Sequence, residues 1–267
     1  MRDIFRQIIV FLGTLAVIAV NALASVLPLN GLTTGEISDR FDVYFVPAGW
    51  VFAIWGLIYL ALLAYSVYQA LPSQRENPRL RRIGWLYVLS CVANIAWIVL
   101  WHYEYFEFTL IAMGALLLLL IAIYLRLGTG RTHVPGAETW LVRVPFSIYL
   151  GWITVATVAN VTSVLEYSGW NGWGLSPVAW AVIMMVVAAV VASLVSITRG
   201  DVAYVAVILW AFAGIADKHS TVLAIVITAW AAGIFVALTL VIGVPLARAR
   251  MRDQALVSAS EGARDRW

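Results

Sequence analysis

Eighteen consecutive residues, Phe108 to Leu125, carry no charged side chain. As a helix that run would extend about 27 Å, close to the roughly 30 Å hydrocarbon thickness of a bilayer. Comparable runs recur, giving expected spans at about 5–29, 47–71, 82–103, 106–126, 139–165, 177–198, 201–216 and 221–246. The seventh is short and contains a glycine, so a broken or tilted helix is open there. Its junction with the sixth is only Arg199-Gly200-Asp201, a tight turn. Composition supports a lipid environment, with 63% hydrophobic and 12% charged residues. Soluble domains hold about 45–50% apolar and 25% charged residues. A transmembrane barrel would need alternation within each strand, which these unbroken runs lack. The expected fold class is all-α, a polytopic integral membrane helical bundle of about eight transmembrane helices.

Charge orients the bundle. Arginine and lysine accumulate in short cytoplasmic loops. Arg2, Arg6, Arg75, Arg79, Arg81, Arg82, Arg126, Arg131, Arg143, Arg199, Arg248, Arg250, Arg252, Arg264 and Arg266 are 15 of the 17 basic residues, and all fall on one side. Only Arg40 and Lys218 fall on the other. An even number of spans with N and C termini cytoplasmic fits this split. The expected location is the cell (plasma or inner) membrane, multi-pass, with the lipid bilayer as the first partner. A net charge of +3 sitting in short loops gives no reason to expect nucleic acid.

Catalytic chemistry is sparse. His102, His133 and His219 fall at helix ends or in loops, without metal-ligand spacing on one helix. No phosphate loop, paired intramembrane carboxylates or nucleophile motif is present, so no catalytic residue and no metal site is expected, and an enzyme is the weakest reading. The single cysteine, Cys91, reads as a packing residue. Asp201, beside Arg199, reads as a marker of the membrane surface.

Tryptophan and asparagine stand out instead. Trp85, Trp140, Trp170, Trp173 and Trp180 suit an interfacial belt. Phe52, Trp55 and Tyr59 share one face of the second span, Asn94, Trp97 and Trp101 one face of the third, and Tyr149, Trp152, Ala156 and Asn160 one face of the fifth. Three aromatic stripes can line a cavity for a flat apolar ligand. They can equally fill a bundle interior, with Asn bonding across helices.

The segment Pro47-Ala48-Gly49-Trp50-Val51-Phe52-Ala53-Ile54-Trp55-Gly56-Leu57-Ile58-Tyr59 resembles the second-helix signature of the tryptophan-rich sensory protein/translocator protein (TspO/MBR) family. Asn94-Ile95-Ala96-Trp97 is similar to its third-helix Asn-x-x-Trp, and Tyr149 to Asn160 to its fifth-helix pattern of Tyr-x-x-Trp, Ala-Thr and a closing Asn. The three motifs come in the family's order. The resemblance covers residues 1–170 and implies a five-helix bundle there; the apolar runs add three additional transmembrane helices over 171–249, and residues 250–267 read as a polar, flexible cytoplasmic tail or a frayed helix extension. The resemblance also implies binding of porphyrin, haem or similar flat hydrophobic ligands, with no required cofactor. The ligand-binding residues it implies are Trp55, Tyr59, Asn94, Trp97, Trp101, Tyr149, Trp152, Ala156 and Asn160. The loop of about residues 30–46, with Asp39, Arg40, Asp42 and Tyr44, would be the lid.

The chain departs from the pattern in four places. Only Pro47 remains of the proline pair before Trp50, and Ile148 replaces a proline before Tyr149. The Trp50–Trp55 interval is one residue shorter, which turns Trp50 by roughly 100° relative to Trp55. Three further spans follow. A membrane binding protein, sensor or carrier for tetrapyrroles is the leading expectation, with a homo-oligomer as a further partner state. A multi-pass transporter or permease for a small neutral or hydrophobic solute, or a non-catalytic membrane assembly partner, are the alternatives.

Overall fold

The computed structural model describes the backbone of residues 1–27 and 29–264, and the side chains of that range through Asp253. Among the described residues there is no strand. The chain runs α1 (Arg2–Val26), α2 (Thr34–Ser38), α3 (Ile54–Ala70), α4 (Pro78–His102), α5 (Phe106–Leu127), α6 (Gly136–Glu138), α7 (Val144–Tyr167), α8 (Pro177–Arg199), α9 (Val202–Lys218) and α10 (Leu223–Arg264). A 3-10 turn, Gly49–Ala53, leads into α3, and a π turn, Thr139–Arg143, joins α6 to α7. Most of the expected tail lies outside the residues whose side chains are described; α10 itself continues to Arg264.

Local sequence explains the helix ends. Asn77 caps α4 through the Arg79 amide with Pro78 at the first helical position, and Ser176 caps α8 ahead of Pro177. Proline there loses no helical hydrogen bond, because its missing N–H is one of the donors left without an intrahelical acceptor. Thr33 and Glu36 form a reciprocal capping box on the short α2.

Among the described residues, seven segments are long and apolar enough to cross a membrane. An eighth, α9, has 17 residues, about 25 Å of helix. It nonetheless joins the two ends of the bundle. Asp201 begins it beside the arginine-rich end, and Lys218 ends it in contact with Asp39 on the opposite side. Tyr204, Val205, Ile208, Ala211, Phe212 and Ile215 of α9 are all 2% exposed or less. Protein rather than lipid surrounds most of this helix, packed by α7, α8 and α10. A helix sheltered in this way escapes the length demand that mismatch with lipid imposes. It is unbroken.

The expected charge sorting is visible in contacts. Arg81 pairs with Asp3 at 2.7 Å, Arg6 donates to the Arg75 carbonyl, Arg126 to that of Arg82, Arg199 to that of Thr129, and Arg250 to that of Ile197. Those loops and the start of the tail therefore meet at one end, the cytoplasmic end by the positive-inside rule. Arg40 and Lys218 lie at the other.

Close approach ties α9 to the aromatic helices. A Cβ on Gly214 would sit 2.0 Å from Val51 Cγ2 and 3.1 Å from Pro47 Cβ, and the Gly214 carbonyl accepts a hydrogen bond from the Ala48 amide. Small residues let helix backbones meet where lipid gives no hydrophobic drive for association. Trp50 belongs to this seam. It packs edge-on against Trp210 at 4.7 Å and donates its indole N–H to Asp217. Facing α9, it is absent from the lining of the cavity that Trp55 helps to form.

Candidate ligand-binding site

The three stripes converge. Trp55 stacks on Tyr59 (5.4 Å, 17°) and meets Trp152 edge-on at 6.0 Å, while Phe52 meets Trp152 at 5.8 Å. On α4, Trp97 and Trp101 stack at 5.7 Å. Offset and T-shaped pairs are the favoured aromatic geometries. Between these walls lies a cavity of about 40 Å³, lined by Trp55, Trp97, Trp101, Trp152, Ala156 and Asn160 of the expected set. Phe52, Val155, Ala159 and Ser163 complete the helical walls, and Thr34, Ser38, Val46 and Pro47 close it from the loop.

The remaining three expected residues lie outside that lining. Tyr59 supports Trp55 from behind. Asn94 and Tyr149 form part of a polar chain across three helices: the Asn21 amide donates to Asn94 Oδ1 at 2.8 Å, and the Asn94 amide donates to the Tyr149 hydroxyl at 3.0 Å. Asn160 does both jobs. It lines the cavity, accepts from the Trp97 indole N–H at 2.5 Å and donates to Thr109 at 2.8 Å. Ala159 and Ser163 continue the α7 stripe at helical spacing, and that period was the signal available for them. The loop residues carried no such signal.

Trp152 is different from its neighbours. It is 2% exposed, and its indole N–H has no hydrogen-bond partner among the described residues. An orphaned buried donor costs about 1–3 kcal/mol. Here it sits on a residue of the cavity wall.

A model of the family described as TSPO-like protein matches residues 7–242. The chain belongs to the TSPO-like protein family. The match continues through α8, α9 and most of α10, so the helices beyond residue 170 fall within the matched family unit. No curated protein and no solved structure matches this chain.

In this TSPO-like protein the loop over the cavity is held by two ion pairs. Arg40 makes a two-pronged contact with Glu104 at 2.6 and 3.3 Å, and Lys218 meets Asp39 at 2.6 Å. The Arg40 hydrogen bonds hold the Glu104 carboxyl below the usual carboxylate range. Glu104 adopts φ +61°, an uncommon conformation for a bulky residue, in the turn between α4 and α5. Phe41 packs on Trp101 and Phe106, the Trp101 indole donates to the Thr34 carbonyl, and the Asn30 amide to that of His102.

A second, larger cavity of about 290 Å³ lies on the other side of the same loop. Residues 42–45 and Val158, Val161, Thr162 and Leu165 of α7 form one wall, and Trp170, Trp180, Ala181 and Met184 form the other. Of the tryptophans read as an interfacial belt, Trp85, Trp140 and Trp173 are exposed, but Trp170 and Trp180 help to form this cavity. Its volume approaches the lower end of ligand pockets, about 300 Å³. The aromatic cavity, by contrast, has room for little more than one water, at roughly 30 Å³ each. Residues 42–47 and α7 are the partition between the two.

Proposed function

We propose that this protein is a membrane binding protein, acting as sensor or carrier, for tetrapyrroles or similar flat hydrophobic ligands. One observation carries the reading: the unpartnered Trp152 N–H on the wall of an aromatic cavity beneath a latched loop. A flat ligand stacks between Trp55, Trp97 and Trp152, and an acceptor on its rim, such as a carboxylate, takes the free N–H. Family membership supports the class of protein, and the aromatic walls support the ligand's shape.

At about 40 Å³ the cavity is far smaller than a flat macrocycle, so binding is coupled to loop movement. Lifting residues 42–47 joins the aromatic cavity to the larger one and admits a ligand from the side of Trp170 and Trp180. Apparent affinity is then the intrinsic affinity reduced by the fraction of molecules with the loop raised.

The test is a protoporphyrin titration of detergent-solubilised protein followed by the Soret band, with Trp152→Phe and Trp152→Ala alongside. A saturable shift is expected in the wild type, weakened about tenfold in Trp152→Phe, which keeps an aromatic ring but lacks the donor. A wild type without saturable binding overturns the ligand class. Affinity equal to that of the wild type in both variants overturns the assignment of the cavity.

A further inference from the structure

At the arginine-rich end, far from the aromatic cavity, a cleft of about 330 Å³ opens between the loop after α5, the start of α7, the α8–α9 turn and α10. Arg143, Arg199 and Arg248 line it, with Thr129, Gly200 and Asp201. None of the three arginines has a carboxylate within 4.0 Å among the described residues.

Arg143 is the most constrained. It is 6% exposed, at the end of the π turn that enters α7. Its two terminal nitrogens donate to the Leu127 and Thr132 carbonyls and to the Thr132 hydroxyl, but Nε has no partner among the described residues. Capping the C-terminus of α5 explains the first set of bonds. It leaves the orphaned Nε unexplained, and Glu138, the carboxylate that acts on Arg143 from beyond 4.0 Å, is itself held by Arg79 and Asn77. Thr129, 7% exposed, also lines the cleft with an unpartnered hydroxyl. Burying a cation without an anion in contact is costly.

Asp201 does not serve as that anion. Its Oδ2 accepts from the Tyr124 hydroxyl at 2.8 Å and the Ser147 hydroxyl at 2.6 Å, and its Oδ1 accepts from the Tyr204 amide. Its oxygens are engaged inside the bundle by α5, α7 and α9. Arg199 lies over the Tyr124 ring and donates to the Thr129 carbonyl. Arg248, on α10, is exposed.

We propose that this cleft binds a phosphate group, with Arg143 Nε and the Thr129 hydroxyl as buried donors and Arg199 and Arg248 as its outer clamp. Guanidinium forks match phosphate oxygens geometrically. The cleft lies where a cytoplasmic-leaflet headgroup would sit, and it also opens to water, so a phospholipid headgroup and a soluble phosphorylated molecule present the same chemistry. A bound phosphate bridges the loop after α5 to the α8–α9 turn and α10. It would brace the last three helices against the first five.

The experiment uses the full chain in neutral detergent, with Arg199→Gln and Arg248→Gln variants whose melting midpoints are measured first. Arg248→Gln removes an exposed side chain and carries the test if Arg199→Gln is unstable. One arm titrates dioleoylphosphatidylglycerol against dioleoylphosphatidylcholine by native mass spectrometry. The other titrates pyrophosphate calorimetrically into delipidated protein. Saturable binding of either probe, weakened about five- to tenfold by the substitutions, is expected. Preference for the lipid identifies a headgroup site, and preference for pyrophosphate a soluble ligand. Absence of saturable binding in both arms, or binding indifferent to both substitutions, overturns the proposal.

Discussion

The loop over the aromatic cavity is held by two exposed ion pairs, and their removal has a calculable consequence. The side chains of Arg40 and Glu104 are 47% and 38% exposed, and those of Lys218 and Asp39 are 26% and 64% exposed. Pairs of this kind contribute about 0.2–1 kcal/mol each. Losing both raises the population of the open loop by about 0.4–2 kcal/mol, or about 2- to 30-fold. The assay needs no ligand. Ser38 is 7% exposed, lies at the end of α2 and lines the cavity. A Ser38→Cys variant places a thiol under the loop, and the native Cys91 is buried and silent to a polar reagent. When closing outpaces labelling, the rate of modification follows the open population. Arg40→Gln with Lys218→Gln is expected to accelerate labelling of the new thiol by that factor. Salt at 1 M, which shortens the screening length to about 3 Å, should accelerate it in the presence of the pairs and leave the double substitution unaffected. A labelling rate unchanged by both the substitutions and salt would refute the latch, leaving Phe41 and the hydrogen bonds from Asn30 and Trp101 as what holds the loop.

Two further outcomes are expected. Gly214→Ala forces a methyl to within 2.0 Å of Val51 and should cost about 1–3 kcal/mol of stability in detergent. Combining it with Val51→Ala should cost at least about 0.5 kcal/mol less than the two singles together, because the new methyl occupies the vacated space; additive effects would show that α9 and the α3 entrance do not share that contact. The second concerns His219, which packs on Tyr44 of the loop at 4.9 Å. Burial, reinforced by the adjacent Lys218, lowers its pKa below the usual 6.5, against weaker opposing effects of the Val46 backbone and Asp42. The folded state therefore resists its protonation. Its favourable contribution is complete above pH 6.5 and declines as pH falls through the lower folded value. The melting midpoint should drop as pH falls below 6.5, and His219→Gln should flatten that slope; an identical slope in the variant would exclude His219 as its source.

Much of this architecture is written in one dimension. Long apolar runs fix the helices, because a bilayer leaves backbone N–H and C=O groups no partner but their own helix. The arginine distribution fixes which ends lie together, and the contacts of Arg6, Arg81, Arg126 and Arg250 realise it. The i, i+3, i+4 spacing fixes which side chains share a face on each helix, and the family resemblance is what grouped Trp55, Trp97, Trp101, Trp152, Ala156 and Asn160 across helices before any fold was known. Period alone does not say what stands opposite a face or at what depth. Asn94 and Tyr149 share faces with cavity residues, but their neighbours are Asn21 and each other.

The same limit governs the charged groups. Asp201 sits two residues from Arg199, which suggests a surface pair, but its actual partners are Tyr124 and Ser147, 77 and 54 positions away in the chain. Arg143 counts in the sequence as one more cytoplasmic charge. Its burial and its free Nε arise only when a π turn swings it under the end of α5. Thus the sequence alone determined the helical class, which helix ends lie together and the aromatic face of each helix, since these follow from local periodicity and from transfer between water and lipid. Tertiary structure decided the small volume of the cavity, the orphaned Trp152 donor, the buried course of α9 and the arginine cleft. Each of those depends on which distant side chain arrives within 3 or 4 Å, and no local pattern encodes that distance.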